Sequence, residues 1–266
     1  LETTGLADPT PIVHTLMTEE RVYRIYQLDG VVTTVDAQLG LEQIDEHFEP
    51  AKQIAIADRL VVTKTDLAAP ETVTRLRARL GQLNRAAPIR EVVKGDVAVA
   101  ELIGLGAHEP AITNADPERW LSADKYAGAG SHEHDHHHHY DHDHDCHDDH
   151  CDHPDHQHGH LHGIQSFCLA SDPPLDGAEL SNALQLLAQL YGGKLLRVKG
   201  IVNIKDQPNP FVIHGVQHMF YPRDRLQQSP RESRPSGLVF ITKDLPETTL
   251  PRHFKPFLGE AVGVAA

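Results

Sequence analysis

The sequence predicts two folded units of different class, an α/β unit with a largely parallel sheet and a smaller α+β unit. Three observations lead to this prediction. Residues 1–112 alternate strand-like apolar runs with helical stretches, which is the pattern of α/β folds. Residues 113–162 form a polar linker that ends in a histidine-rich segment, and residues 163–266 return to ordinary composition. Two units also fit a length of 266 residues.

Within the α/β unit, strands are predicted at 28–37, 58–66 and 86–93. The first two are rich in β-branched residues and end in polar ones, and ligands of parallel sheets bind at such carboxyl ends. A helix is predicted from Pro70 onward. Its apolar positions recur at helical spacing and comprise Val73, Leu76, Leu80 and Leu83. The opening L-E-T-T-G-L-A-D-P is interpreted as the end of a buried strand.

In the α+β unit, a strand at 163–170 precedes a helix for which Asp176 and Glu179 form a capping box. Gly192 and Gly193 are expected to end that helix. Three further strands are predicted from K-L-L-R-V-K-G-I-V-N-I, F-V-I-H-G-V-Q-H-M-F-Y and S-G-L-V-F-I-T-K-D-L, with a turn at 206–210 after the first.

Composition excludes several classes of protein. No apolar run approaches 18 residues, so we expect no membrane span. Nine of the 38 acidic residues and none of the 24 basic ones lie in the histidine-rich segment, so the formal charge of -14 falls to -5 outside it. The sequence contains no basic stripe of the kind that binds nucleic acid. Three cysteines form no disulfide framework and favour a cytoplasmic location.

The tetrapeptide T-K-T-D at 63–66 follows an apolar run, where guanine-specific folds place an N/T-K-x-D loop. The Asp66 carboxylate can accept hydrogen bonds from the ring N–H and the exocyclic amine of guanine, a pair that adenine lacks. The stem of Lys64 can lie along the purine face. Thr63 stands where asparagine is common, and its hydroxyl replaces only part of an amide's hydrogen bonding. The competing interpretation of Asp66 is an ordinary turn or cap residue.

Glu2 and Gly5 have the spacing of a D/E-x-x-G phosphate-sensing turn. The backbone amide of Gly5 can approach a γ-phosphate, and the Glu2 carboxylate can hold magnesium or its water, which makes Glu2 the candidate catalytic residue. The alternative is a strand-to-loop turn that needs glycine only for its conformation.

Six segments, taken in order, resemble the CobW family of P-loop GTPases. They are E-T-T-G-L-A-D-P, L-D-G-V-V-T-T-V-D-A, A-D-R-L-V-V-T-K-T-D-L, the histidine-rich insert, K-L-L-R-V-K-G-I and I-H-G-V-Q-H-M-F-Y-P. The urease and hydrogenase metallochaperone GTPases belong to the same wider class. The resemblance implies a P-loop GTPase domain over 1–112 and a CobW C-terminal domain over 163–266. It also implies GTP and Mg²⁺ as cofactors, Zn²⁺ or Co²⁺ as the metal handled, and a client apo-metalloprotein as partner.

Two motifs that the resemblance implies do not occur in these 266 residues, a G-x-x-x-x-G-K-[ST] loop and a C-x-C-C metal motif. The glycine-rich loop supplies the amides that cradle the phosphates. Because the chain starts at Leu1 and not at methionine, we interpret it as a fragment without its natural amino-terminal part, including part of the parallel sheet. We therefore expect GTP hydrolysis by the parent protein and not by this chain.

The segment 132–162 combines 15 histidines with two cysteines and nine acids, and we expect it to be disordered without metal. Zinc needs about four N, S or O ligands, which local clusters can supply in many combinations. An expression tag and a solvated acidic loop are the alternatives. The candidate metal ligands are His132, His134, His136, His137, His138, His139, His142, His144, Cys146, His147, His150, Cys151, His153, His156, His158, His160 and His162.

Other metal-binding side chains receive structural interpretations. His214 and His218, placed on one strand, would be about 13 Å apart by strand rise, too far to share an ion. Cys168 is expected to be a small buried residue.

Three functions stay open. The first is a GTP-dependent metallochaperone, the second a non-enzymatic metal buffer, and the third an accessory factor for cobalamin biosynthesis. A homo-oligomer is compatible with each of them.

Overall fold

A parallel sheet forms the centre of the amino-terminal half. The computed structural model describes residues 1–26, 28–105, 162–220, 235–246 and 248–258, together with the backbone of 224–225 and 263–264. The strands of this sheet are β1 (Val32–Asp36), β2 (Arg59–Thr63) and β3 (Ile89–Val92). They lie in the order β1-β2-β3 and pair in parallel, so Asp36 and Thr63 are neighbours at the carboxyl ends of β1 and β2. The predicted α/β class is confirmed.

Helices surround this sheet. They are α1 (Pro9–Thr18), α2 (Glu20–Tyr23), α3 (Gly40–Glu46), α4 (Phe48–Ile56) and α5 (Pro70–Leu83), and a 3-10 turn follows at Val99–Glu101. Helix α5 begins at Pro70 as predicted, and it buries Leu76, Leu80 and Leu83 completely. Asn84 ends α5, and its side-chain amide donates to the carbonyls of Ile54, Ala55 and Ala57 at the end of α4.

An antiparallel sheet forms the carboxy-terminal half. Its elements are β4 (Ile164–Ser171), α6 (Gly177–Tyr191), β5 (Leu195–Val202), β6 (Phe211–Val216), β7 (Met219–Phe220), β8 (Asp224–Arg225), β9 (Ser236–Lys243), α7 (Thr249–Leu258) and β10 (Gly263–Val264). The strand order is β10-β4-β9-β5-β6-β7, and β8 also pairs with β6. Asp176 caps α6 as predicted, and the helix ends before Gly192.

Two expectations about local structure are wrong. The segment F-V-I-H-G-V-Q-H-M-F-Y is not one strand: it turns at Gln217 and His218, with φ +52° at Gln217, and β7 folds back on β6. The opening residues are not the end of a buried strand either. Residues 1–6 are exposed, and they pair with no strand in the described part of the chain.

The antiparallel sheet is covered on both faces. Helices α6 and α7 pack on one face, where Leu180, Leu187, Phe240 and Phe254 are completely buried. The other face packs on the amino-terminal half, because Leu196, Val216 and Ile241 share a core with residues of α4, α5 and β2. The two halves are therefore joined by a common apolar core.

A buried ion cluster crosses the same junction. Asp58, just before β2, accepts hydrogen bonds from Arg197 and, at 2.8 Å, from Lys199, both on β5. Its other oxygen accepts from the backbone amide of Val31 at 3.0 Å. Burial raises the pKa of Asp58, but Arg197 and Lys199 outweigh that effect and hold it far below the usual range. The carboxylate is therefore charged and fully engaged between the two halves.

Among the residues that the structure describes, no helix is both long and apolar enough to cross a membrane.

Candidate nucleotide and metal site

The T-K-T-D loop leaves the carboxyl end of β2 in a tight turn. Lys64 has a φ of +58°, and its carbonyl accepts a hydrogen bond from the amide of Leu67 at 3.0 Å. Thr63 is partly buried at the strand end, whereas Lys64 and Asp66 are exposed. The predicted nucleotide-binding residues Thr63, Lys64 and Asp66 thus share one short loop at the edge where parallel sheets bind ligands.

The last residue of β1 and the residues that follow it contact this loop at several points. The Asp36 carboxylate accepts from the Lys64 ammonium at 2.5 Å, and its other oxygen accepts from the amide of Gln38 at 2.8 Å and that of Leu39 at 3.3 Å. Burial raises the pKa of Asp36, but these hydrogen bonds together outweigh it and lower the pKa. The side-chain amide of Gln38 donates to the Leu67 carbonyl at 3.1 Å.

Sequence reasoning did not identify Asp36 and Gln38. The available signal was Asp36 itself, a polar residue at the end of an apolar strand. Its contact with the loop depends on the parallel register of β1 and β2, which brings together residues that are 28 positions apart.

The turn with Glu2 and Gly5 is held from α4. The side-chain amide of Gln53 donates to the carbonyls of Gly5 at 3.0 Å and Ala7 at 2.9 Å. A Cβ placed on Gly5 would meet no described atom within 4 Å, and the φ of Gly5 is not positive. Neither conformation nor packing within the described residues therefore requires glycine, which disfavours the purely conformational alternative.

Asp8 fixes the position where this turn enters α1. Its carboxylate caps the helix by accepting from the Thr10 amide at 2.9 Å, and it pairs with the buried ammonium of Lys52 at 2.7 Å. Burial raises the pKa of Asp8, and the bonds from Lys52 and Thr10 more than offset this and lower it. The end of the turn is therefore anchored to α4 through both Gln53 and Lys52.

A cavity of about 860 Å³ lies along the open edge of β1. Residues 1–6, α1 and the strand itself line it, so Glu2 and Gly5 face a common space. The loop at 63–66 is not part of that lining. The structure thus brings Glu2 and Gly5 to one cavity but does not join them with Thr63, Lys64 and Asp66.

Most of the predicted metal ligands, from His132 to His160, lie outside the described residues. His162 is described and has a structural contact, since its Nε2 lies 2.6 Å from the carbonyl of Ile44 and its ring meets Phe48 edge-on. Within the described part of the chain, no group of three or more His, Cys, Asp or Glu residues is arranged to hold a metal ion.

Two histidines of the carboxy-terminal half, His214 and His218, and the cysteine Cys168 were given structural interpretations from the sequence. His214 is buried on β6 beside the Asp58 cluster, whereas His218 lies in the β6-β7 turn with its ring 5.5 Å from that of His14. The sequence pattern placed His214 and His218 on one strand. They are not on one strand, because the chain turns between β6 and β7. Cys168 is buried, and burial raises the pKa of its thiol to about 11, which confirms a small structural residue.

Two family models match the chain. The model "CobW/HypB/UreG, nucleotide-binding domain" matches residues 1–91, and the model "Cobalamin synthesis protein cobW C-terminal domain" matches residues 164–258. The two matched ranges contain nearly all of the parallel sheet and nearly all of the antiparallel sheet, respectively.

Curated relatives and a solved structure agree with these matches. The zinc chaperone YjiA of Escherichia coli K12 is 29% identical over 256 residues, which are 96% of this chain and 69% of that protein. The zinc-regulated GTPase metalloprotein activator 1 of Saccharomyces cerevisiae is 29% identical over 128 residues, 41% of this chain and 30% of that protein.

The crystal structure of Zn(II)-bound YjiA GTPase from E. coli superimposes with a TM-score of 0.68 at 28% identity, covering 96% of this chain and 69% of that one. Both sheets described above thus have counterparts in a solved relative. The chain belongs to the CobW family, with a CobW/HypB/UreG nucleotide-binding domain followed by a CobW C-terminal domain.

Proposed function

We propose that this chain is part of a GTP-dependent metallochaperone that handles zinc and couples GTP hydrolysis to metal transfer. The observation that carries the proposal is the T-K-T-D loop at the carboxyl end of β2, in a sheet that the nucleotide-binding family model matches. Zinc is favoured over cobalt because the E. coli relative is named a zinc chaperone and its solved structure is Zn(II)-bound.

Asp66 is the guanine-reading residue of this proposal. Its exposed carboxylate extends from the loop, where it can accept two hydrogen bonds from guanine, and Lys64 supplies an aliphatic surface for the ring. Gly5 would approach the γ-phosphate, and Glu2 would hold Mg²⁺ or its water, because both line the same cavity. Mg²⁺ would neutralise charge on the phosphates.

Hydrolysis by this proposal needs a phosphate-binding loop, and these 266 residues contain no G-x-x-x-x-G-K-[ST]. We assign it to the complete reading frame in which the chain occurs. Sequencing the coding DNA upstream of Leu1 tests this assignment. The proposal expects a G-x-x-x-x-G-K-[ST] motif there, and an upstream frame without one would contradict the GTPase function.

The histidine-rich segment is the proposed metal store. Imidazoles, carboxylates and two thiols are ligands that zinc accepts, and the candidate ligands run from His132 to His162. The stored metal would pass to a client apo-metalloprotein in the cytoplasm, in line with the yeast relative's name as a metalloprotein activator.

Deletion of residues 132–162 tests the store. Equilibrium dialysis should show that the deletion variant binds fewer zinc ions than the full chain, by at least one ion. A circular dichroism spectrum that retains the helix and strand signals of the full chain controls for folding. Equal zinc stoichiometry in the two proteins would contradict the assignment.

A second candidate is a metal buffer without enzymatic activity, which the density of ligands in the same segment favours. The two candidates differ in their response to nucleotide, because a buffer needs none.

A further inference from the structure

Three contacts connect the last residue of β1 and the two residues after it with the T-K-T-D loop. The Ala37 amide donates to the Thr63 carbonyl at 2.9 Å, Lys64 donates to Asp36 at 2.5 Å, and Gln38 donates to the Leu67 carbonyl at 3.1 Å. The tripeptide at 36–38 therefore contacts the loop at its first residue, at its lysine and at the residue directly after its end.

The contact between Asp36 and Lys64 differs from an ordinary surface ion pair. The side chain of Asp36 is only 16% exposed, and two backbone amides fix its carboxylate in place, whereas that of Lys64 is 55% exposed. The fixed carboxylate of Asp36 thus holds the ammonium group of Lys64, while the aliphatic stem of Lys64 stays accessible to a ligand. The positive φ of Lys64 is uncommon for a residue with a side chain, and surrounding contacts maintain it.

We propose that Asp36 and Gln38 are positioning residues for guanine recognition, which shape the T-K-T-D loop before nucleotide binds. This inference rests on the proposed function of that loop. With its ammonium on Asp36, Lys64 presents its stem as a preset surface for the purine. Ordering a free lysine on binding would lower affinity, because a long side chain loses rotamer freedom. Gln38 holds the other end of the loop, next to Asp66, so that the guanine-reading carboxylate starts from a fixed backbone.

The Asp36→Asn substitution removes the ion pair with Lys64 but keeps the hydrogen bonds of the local turn. Asparagine retains a side-chain oxygen for the amides of Gln38 and Leu39 but loses the charge that holds Lys64. Glu91→Gln is the matched control, since it breaks the exposed pair of Arg77 and Glu91, 2.6 Å apart, in the same half of the chain. Thermal unfolding of each variant verifies that it is folded.

The experiment titrates non-hydrolysable analogues of GTP and, separately, of ATP into the ¹⁵N-labelled product of the complete reading frame that contains these residues, and it follows amide shifts by NMR. We expect Asp36→Asn to weaken GTP binding about three- to tenfold. Gln38→Ala should weaken GTP binding as well, and Glu91→Gln should not. In a Lys64→Met background, Asp36→Asn should have little further effect, because Asp36 acts through Lys64.

The outcomes separate this inference from the function on which it rests. A wild-type product of the complete reading frame that does not prefer GTP to ATP contradicts the guanine assignment and the inference together. A wild type that prefers GTP, with an Asp36→Asn variant of equal affinity and preference, contradicts the inference alone. Equal weakening by Asp36→Asn with and without Lys64 would show that Asp36 does not act through the lysine, and would also overturn it.

Discussion

Asp58 is a single residue that lies between the two sheets with both of its carboxylate oxygens engaged. Arg197 and Lys199 contact it from β5, and Val31 contacts it from the position just before β1. Its side chain is 3% exposed. Buried ion pairs contribute little net stability when compared with apolar packing, but the loss of one partner leaves charge uncompensated in the interior.

We predict that Asp58→Asn lowers the free energy of unfolding by about 3 kcal/mol, because two buried cations lose their anion. Urea denaturation monitored by circular dichroism measures the loss. Glu91→Gln, which breaks an exposed pair, should change the same quantity by less than about 1 kcal/mol. Equal effects of the two substitutions would contradict the importance of the buried cluster.

The pH dependence of the Asp58 effect has a definite sign. The pKa of Asp58 is lower in the folded chain than in the unfolded chain, so its stabilising contribution is present above the unfolded value near 4. The contribution is lost as pH falls through the folded pKa. The stability difference between wild type and Asp58→Asn should therefore be constant from about pH 8 to 5 and shrink below about pH 4. Denaturation series at each pH measure it, and a difference that grows below pH 4 would contradict the account.

Among the elements, α4 and α5 depend on one another through Asn84. One buried side-chain amide donates to three carbonyls of the α4 end, and the side-chain oxygen accepts from the Ala87 amide at 3.0 Å. Backbone carbonyls at a helix end need such partners, because the helix itself supplies none.

Asn84→Ala is expected to lower the free energy of unfolding by about 2 to 3 kcal/mol, since buried carbonyls lose their donor. The exposed Asn182 of α6 provides the matched control, and Asn182→Ala should cost less than about 0.5 kcal/mol. Guanidinium denaturation compares the two. A cost for Asn84→Ala no greater than that of the control would argue against its role in joining the helices.

Sequence patterns predicted the elements whose signals are local. The apolar spacing of Leu76, Leu80 and Leu83 identified α5, and Asp176 identified the start of α6. The turn at Gln217 and His218 was missed because neither residue is a usual turn former, and the apolar run continues across it. Helix α7 was missed as well.

The candidate site was predictable to a similar extent. T-K-T-D was identified from its own residues and its position after an apolar run. The contacts of Asp36 with Lys64, and of Asp58 with β5, join residues far apart in the chain, and pairing register and docking of the two halves determine them. Local patterns carry no information on such contacts.

At the scale of the whole molecule, the two halves form a shared core on one face of the antiparallel sheet. The histidine-rich segment lies between these halves in the sequence, so it is covalently connected to both. His162, at the end of that segment, contacts the carbonyl of Ile44 in α3.

Zinc binding by the full chain should depend steeply on pH. Histidine titrates near pH 6.5, so protons displace metal from imidazoles below about pH 6. Equilibrium dialysis at about pH 7.5 and about pH 5.5 should therefore give a lower zinc stoichiometry at the acidic value. A stoichiometry that is the same at both values would mean that the imidazoles are not the main ligands.

Zinc affinity in different nucleotide states shows whether guanine nucleotide governs metal handling. The measurement uses the product of the complete reading frame that contains these residues, with a non-hydrolysable GTP analogue, with GDP and with an ATP analogue. Coupling between two sites typically changes affinity by about 5- to 150-fold. We expect a zinc dissociation constant that differs at least about fivefold between the GTP analogue and GDP, with no response to the ATP analogue. The same dissociation constant in all three states would mean that nucleotide does not control zinc binding.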